Sequence, residues 1–183
     1  MTAQQNKITE KAVKIIINSG LEELTVHNLA DELQMKESDL YQQLKKDDDI
    51  ILILLLSFES DIVDLLKEIE QSGDTTENKL KILFKMLYFI FLQKPYYLNI
   101  IFDKKLKERE ESVKNSLLLI RKMAENYLTV LIDNGKSENT FKTTLSTKVL
   151  VNKILLGFRT YMKDEQLLQE VILEMKKLKT SKD

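Results

Sequence analysis

Residues that interrupt helices are scarce in this sequence, which has four Gly and one Pro in 183 residues. Chains built from strands need frequent tight turns, and Gly and Pro are two of the residues that make such turns. Lys, Glu and Leu, which are good helix formers, are abundant instead, together with Ile. The sequence therefore predicts an all-α fold.

Apolar residues recur at helical spacing along the chain and indicate nine helices. The apolar run at residues 50–56 continues at helical spacing, so it predicts helix rather than strand, and it is far shorter than the roughly 20 residues that cross a membrane. Asn134-Gly135 is expected to end a long helix. The predicted helices cover about 7–18, 26–33, 37–44, 47–71, 80–94, 96–105, a long stretch ending near 133, 143–162 and 164–179.

Several classes of function lack the residues they need. There is no cysteine, which excludes disulfides and thiolate metal sites. His27 is the only histidine and has no partner Cys or second His, so we expect no metal site and no catalytic role for it. No Gly-rich phosphate loop or HExxH motif is present, so neither an enzyme nor a cofactor is expected. The N-terminal residues lack the apolar segment of a signal peptide, and we expect a cytoplasmic protein with no membrane partner.

The N-terminal pattern predicts a helix-turn-helix. Gly20 can end the first helix in the left-handed conformation, and Thr25 can cap the second. Two short helices with a tight connection then follow, which is the arrangement of a helix-turn-helix. We therefore predict an N-terminal three-helix head at residues 1–46 and a C-terminal helical bundle at residues 47–183.

This organisation resembles the TetR family of bacterial transcriptional regulators. The residues that carry the resemblance are Gly20, Thr25, Leu29-Ala30, Leu40-Tyr41 and the LKKDDDI segment at 44–50. Beyond residue 50, only the number of helices and the helix-Pro-helix step at Pro95 agree. The resemblance implies a homodimeric regulator, acting as a ligand-responsive repressor, in which the bundle binds a small apolar effector and effector binding lowers affinity for duplex DNA.

The resemblance places DNA contacts in and around the second and third helices. Side chains of the third helix would face the major groove, where Gln can make two hydrogen bonds to one adenine. Others would contact phosphates, which position a protein without specifying sequence. The groove candidates are Ser38, Tyr41, Gln42 and Gln43, and the phosphate candidates are Thr25, Lys36, Lys45 and Lys46.

The charge of the first 50 residues opposes this prediction. Six lysines against ten acidic residues give −4 there, although the whole chain carries only −1. Glu37 and Asp39 lie in the predicted third helix, and Asp47 stands where the family has Lys. A second hypothesis therefore stays open, namely a TetR-shaped interaction protein whose head has lost or weakened DNA binding. On the first hypothesis, Asp47→Lys is expected to tighten non-specific DNA binding.

The C-terminal bundle is expected to bind the effector and to dimerise. Residues 82–92 are almost uniformly apolar, and pockets in bundles are apolar with a few polar anchors. Core packing is the alternative for these residues. The effector candidates are Tyr88, Phe91, Asn99, Asn126 and Tyr127.

The last two helices carry apolar residues on more than one side, which predicts a homodimer through these helices. The residues concerned are Val149, Leu150, Val151, Ile154, Leu155, Leu156, Phe158, Tyr161, Leu167, Leu168, Val171, Ile172 and Met175.

Overall fold

A computed structural model describes residues 3–177 and confirms the all-α prediction. Within these residues there are nine α-helices and no strand, and no helix has the length and apolarity that crossing a membrane requires. The helices are α1 (Ala3–Ser19), α2 (Val26–Leu33), α3 (Glu37–Leu40), α4 (Asp47–Gln71), α5 (Thr76–Gln93), α6 (Tyr96–Ile101), α7 (Glu111–Ser137), α8 (Thr147–Lys163) and α9 (Glu165–Lys176). The predicted end of the last helix, at 178–179, lies outside the described residues.

The chain divides into two compact units. The first unit is Met1–Asp61 with Gln93–Leu119, and the second unit is Ile62–Leu92 with Ile120–Asp183. The helices α4 and α7 contribute to both units. The functional boundary predicted between residues 46 and 47 falls inside the first unit and stays a prediction.

The first unit begins as the sequence predicts. Gly20 ends α1 with a φ of 96°, in the region that favours glycine. The Thr25 hydroxyl accepts a hydrogen bond from the Asn28 amide at 3.1 Å and so caps α2. Leu29 and Leu40 are fully buried, which satisfies the apolar stripe of each short helix. Local capping and burial therefore fix the start of the chain.

A polar cluster is built around Tyr97 in the same unit. The Tyr97 side chain is fully buried, and its hydroxyl donates to Asp61 at 2.7 Å. Lys94 also binds the Asp61 carboxylate, at 2.5 Å. The ring packs edge-on against Phe58 with centroids 4.8 Å apart. Burial raises the pKa of Tyr97, so the phenol stays protonated and can donate.

In the second unit, the prediction that Asn134-Gly135 ends a helix is wrong. Helix α7 continues through Gly135 to Ser137, and Asn139 adopts the left-handed conformation beyond it, with a φ of 59°. A Cβ at position 135 would overlap the ring of Phe141, which is itself 2% exposed. The glycine here makes room for a neighbouring ring and does not end the helix.

Candidate nucleic-acid interface and effector site

The helices α2 and α3 form the predicted helix-turn-helix. Gln34 ends α2 in the left-handed conformation, with a φ of 55°, and the Met35 amide donates back to Ala30 at 3.0 Å. Lys36 occupies the N-cap of α3 and gives it no side-chain cap. The connection is therefore tight and made by backbone hydrogen bonds, as this motif requires.

Helix α3 is shorter than predicted, ending at Leu40 rather than Leu44. The Leu40 carbonyl accepts from both the Gln43 and the Leu44 amides, at 2.9 and 2.8 Å, which makes a turn in place of a second helical turn. Leu44 is nevertheless buried, at 2% exposure. The turn thus buries Leu44, the residue whose spacing from Leu40 suggested a longer helix.

The groove candidates of this motif are exposed and lie close together in sequence. Ser38 is on α3, while Tyr41, Gln42 and Gln43 are in the turn that follows. Tyr41 is a large hydrophobic side chain that is 46% exposed. An exposed ring of this size is stabilised when a binding partner covers it. Their contact with DNA stays a prediction.

The phosphate candidates differ in whether their side chains are free to contact a phosphate. Lys36 and Lys45 are exposed and make no ion pair within residues 3–177. Lys46 is also exposed but pairs with Glu110. Thr25 is half-buried, and its hydroxyl is used to cap α2. Two free lysines are therefore the main cationic groups beside α3.

All three acidic residues at the start of α4 accept hydrogen bonds from backbone amides. The Asp47 carboxylate accepts from the Val26 amide at 2.6 Å, and so satisfies one of the free N–H groups at the start of α2. The Asp49 carboxylate accepts from the Lys45 amide at 2.7 Å. Asp47 therefore does not simply replace a phosphate-binding Lys, and Asp47→Lys would not be a pure test of charge.

Asp48 is the buried member of this acidic run. It is 6% exposed, and its carboxylate accepts from the Arg109 guanidinium and the Glu110 amide, each at 3.1 Å. A buried carboxylate is stable when it is paired and hydrogen-bonded in this way. Asp48 thus fastens the start of α4 to residues 109–110 within the first unit, and a count of charges in the sequence could not show it.

The first acidic residue of α3 is held by the single histidine. The Glu37 carboxylate lies 2.5 Å from His27 Nδ1, and the Asp31 carboxylate lies 3.8 Å from His27 Nε2. The hydrogen bond and the charge of Glu37 raise the pKa of His27, and Asp31 adds to the effect. These groups do not form a metal site, because no cluster of three or more ligating residues occurs in residues 3–177.

The remaining acidic residue of α3 is different. Asp39 is exposed, and its side-chain partner is the Ser38 hydroxyl at a long 3.5 Å. It is therefore the carboxylate at the start of α3 that no cation compensates among the described residues. An aspartate in this place can repel phosphates or accept from a cytosine amino group.

The effector candidates belong to both compact units. Asn99 belongs to the first unit, and the other four belong to the second. Tyr88 is 38% exposed, whereas Phe91 is buried and packs on Phe158 with centroids 6.1 Å apart. Asn126 is exposed. The effector site near these residues stays a prediction.

Tyr127 is the one of these residues with a notable environment. Its hydroxyl is buried and makes no hydrogen bond of good geometry within residues 3–177, and the Glu70 carboxylate is near enough to act as a weak acceptor. Burial raises the pKa of Tyr127, and the charge and weak hydrogen bond of Glu70 raise it further. A buried hydroxyl with only a weak acceptor would be stabilised by a ligand that supplied a better one.

The first unit has two open depressions that none of the effector candidates lines. One, of about 280 Å³, lies between residues 21–22 and 103–109, and is lined by several charged side chains. The other, of about 650 Å³, lies along α1 and α2 and is mostly polar. Neither has the apolar lining expected of a site for an apolar ligand.

No protein-family model matches the sequence, and no curated protein sequence matches it. Solved structures do match in fold. The ketosteroid transcriptional regulator KstR2 of Mycobacterium tuberculosis matches with a TM-score of 0.78 at 16% identity, covering 97% of each chain.

A tetR-family regulatory protein from Rhodococcus RHA1 matches with a TM-score of 0.79 at 11% identity, over 96% of this chain and 98% of that one. The fatty acid degradation regulator FadR from Bacillus halodurans matches with a TM-score of 0.74 at 18% identity, over 96% and 92%. The chain has the fold of TetR-family regulators along nearly its whole length, which confirms the TetR-like architecture expected from the first 50 residues.

Proposed function

We propose that this chain is a TetR-like transcriptional regulator that binds duplex DNA as a homodimer and responds to a small apolar effector. The observation that carries the proposal is the helix-turn-helix itself. Its interior is apolar at Leu29 and Leu40, while Tyr41, Gln42 and Gln43 are exposed together on the outside. The named solved structures that share this fold are transcriptional regulators, not enzymes.

Within this proposal, the roles of the side chains follow from their chemistry. Gln42 and Gln43 carry both donors and acceptors and would read base edges. Lys36 and Lys45, which are free of ion pairs in the described residues, would contact phosphates and set the register. Because so few cations are available, affinity should be modest and should fall only shallowly with added salt.

Selection of bound sequences from a random duplex pool at low salt tests this role. The wild type should enrich a motif with two half-sites, because a dimer places two helix-turn-helix motifs on the duplex. Gln42→Ala with Gln43→Ala should lose the motif while keeping weak general binding. Lys142→Ala, an exposed lysine of the second unit, is the control and should enrich the same motif as the wild type. Failure of the wild type to retain any duplex would refute the proposal.

The homodimer is proposed to form through α8 and α9. Seven of the 13 predicted apolar residues, among them Ile154 and Ile172, are buried inside the single chain. Val149, Leu156 and Leu173 remain 49%, 90% and 44% exposed. Leu173 was not predicted, since it lies outside the main apolar stripe of its helix. A leucine exposed to this degree is stabilised when a second copy covers it.

Leu156→Glu tests the dimer, because a charge would be buried at the centre of the proposed interface. In sedimentation experiments at micromolar concentration, the wild type should be dimeric and Leu156→Glu monomeric. Leu92→Glu is the control, since it places the same charge on another exposed leucine, which lies on α5 and is 58% exposed. A monomeric wild type would remove this part of the proposal.

The class of effector is supported by the apolar character of α5 and by the named neighbours. One neighbour is a ketosteroid transcriptional regulator and another a fatty acid degradation regulator, which supports an apolar ligand for this chain. We propose a ligand with a large apolar part and one acceptor near the Tyr127 hydroxyl. A panel of steroids and fatty acyl compounds should include one that raises the melting temperature and releases DNA. Tyr127→Phe should weaken that response.

The alternative function is an interaction protein without DNA binding. The pairing of Lys46 with Glu110 and the uncompensated Asp39 favour it. The same selection experiment separates the two functions, because the alternative expects no retained duplex even at low salt.

A further inference from the structure

We propose that His27 is a pH-sensitive switch, whose protonation adds one positive charge that compensates Glu37 beside α3, and so makes the chain bind duplex DNA more tightly as the pH falls. This inference rests on the DNA-binding function proposed above. It concerns a residue that the sequence analysis set aside because it had no partner for metal binding or catalysis.

The positions of two carboxylates beside the His27 ring make its protonation state important. Each ring nitrogen of His27 faces a carboxylate, Glu37 at Nδ1 and Asp31 at Nε2. A neutral imidazole carries a hydrogen on one nitrogen only, so the lone pair of the other nitrogen must face a negative oxygen. The protonated ring can donate to Glu37, and its charge attracts Asp31, which lies beyond hydrogen-bond distance. Both carboxylates therefore favour the charged form of the ring.

Other charged groups near α2 are engaged elsewhere. On α1, which packs against α2, Lys14 binds Glu32 at 2.8 Å, and Lys11 lies 3.9 Å from the same carboxylate. At the start of α4, Asp47 binds the Val26 amide. On α3, Lys36 has no ion pair within the described residues and Asp39 bonds weakly to Ser38. The charges that act on His27 are thus those of Glu37 and Asp31, which raise its pKa.

The pair also bridges the two helices of the motif. His27 is the second residue of α2, and Glu37 is the first residue of α3. With His27 neutral, Glu37 and Asp39 leave α3 with two negative charges in its first turn. With His27 charged, one of these is compensated, and phosphates meet a less repulsive surface.

The composition of the chain makes the switch easy to isolate. His27 is the only histidine, and there is no cysteine. Histidine is the side chain whose ordinary pKa lies between pH 5 and 8, and only the terminal amino group also titrates near that range. A change in affinity between pH 6 and 8 is therefore assigned to His27 when it disappears in His27→Gln.

The first measurement does not need DNA. The ring protons of the single histidine, followed by NMR against pH, should give a pKa above 6.5 in the wild type. Glu37→Gln should move it back toward that ordinary value. A wild-type pKa at or below 6.5 would overturn the switch, whatever the chain does with DNA.

The second measurement uses a mixed-sequence duplex at low salt. Wild-type affinity should rise by roughly three- to tenfold between pH 8 and pH 6, as expected for uptake of up to one proton on binding. His27→Gln should bind with the same affinity at both pH values. Lys36→Gln is the control, since it removes a neighbouring positive charge and should weaken binding by the same factor at both pH values.

The outcomes separate the two proposals. A wild type that binds equally at both pH values, or a His27→Gln variant that keeps the pH dependence, would overturn the switch and leave the DNA-binding function standing. A wild type that binds no duplex at either pH would overturn DNA binding and the regulatory consequence with it, while the NMR titration would still show whether Glu37 holds the histidine.

Discussion

The starts of α3 and α4 lie ten residues apart and carry the same type of side chain, yet they use it in opposite ways. At the start of α4, Asp47, Asp48 and Asp49 accept hydrogen bonds from amides or from Arg109. At the start of α3, Glu37 and Asp39 are exposed, and only Glu37 has a charged partner. The acids of α4 hold the first unit together, whereas those of α3 shape its outer surface.

This difference changes the meaning of the net charge of −4 over the first 50 residues. A carboxylate that accepts hydrogen bonds inside the unit contributes less repulsion to a DNA surface than one pointing at solvent. The electrostatic obstacle to DNA binding is therefore concentrated in α3, mainly at Asp39. A net charge of −4 is also compatible with carboxylates that all point at solvent. The hydrogen-bond partners of each carboxylate distinguish the two arrangements.

Removal of the Asp48 carboxylate should have the largest effect. Asp48→Ala leaves the Arg109 guanidinium and the Glu110 amide without their acceptor in a largely buried place. We expect the free energy of unfolding to fall by about 2–3 kcal/mol. Urea denaturation measures it, with Asp39→Ala as the control. Equal stability of the two variants would contradict the claim that the acids of α4 stabilise the fold and those of α3 do not.

Asp47→Lys should have an intermediate and mixed effect. The Val26 amide loses its acceptor, so stability should fall by about 1 kcal/mol, as for the loss of a helix cap. At the same time, the new charge favours phosphates. Melting temperature and DNA affinity should be measured together. A variant as stable as the wild type would show that the cap contributes nothing.

Asp39→Lys should change binding without changing stability. The side chain is exposed and weakly bonded, so the free energy of unfolding should move by less than about 0.5 kcal/mol. General DNA affinity should rise, and the salt dependence should steepen by about one counterion. Asp49→Asn, at the start of α4, is the comparison and should leave the salt dependence unchanged. The same slope in both variants would contradict the assignment of the outer surface to α3.

Protonation of His27 should have the smallest effect on folding, and its sign is fixed. Because Glu37 and Asp31 raise the pKa of His27, the stabilisation is complete below about pH 6.5 and is lost as the pH rises through the raised value. Melting temperature should therefore decline slightly toward pH 8 in the wild type but not in His27→Gln. If the melting temperature declined equally in both proteins, the charge of His27 would not contribute to the stability of the fold.

The sequence was sufficient for the helices and for their order, because spacing and caps are local properties. Gly20 and Thr25 act as predicted. The partners of Asp47 and Asp48 could not be predicted, since Val26 and Arg109 are distant in sequence and meet only in the folded chain. The pairing of His27 with Glu37 could not be predicted for the same reason, since the two residues meet only in the folded chain. His27 has no partner Cys or second His, but two carboxylates lie beside its ring, and one of them, Glu37, belongs to the next helix.

The glycine in α7 shows what such a distant contact means for the history of the chain. Gly135 is small because the ring of Phe141 lies where its Cβ would be. The two positions therefore form one unit of evolutionary change. A descendant that gained a side chain at position 135 would be viable where position 141 had first become smaller. Sequences related to this one should accordingly show the two positions varying together, with a bulky residue at one matched by a small residue at the other.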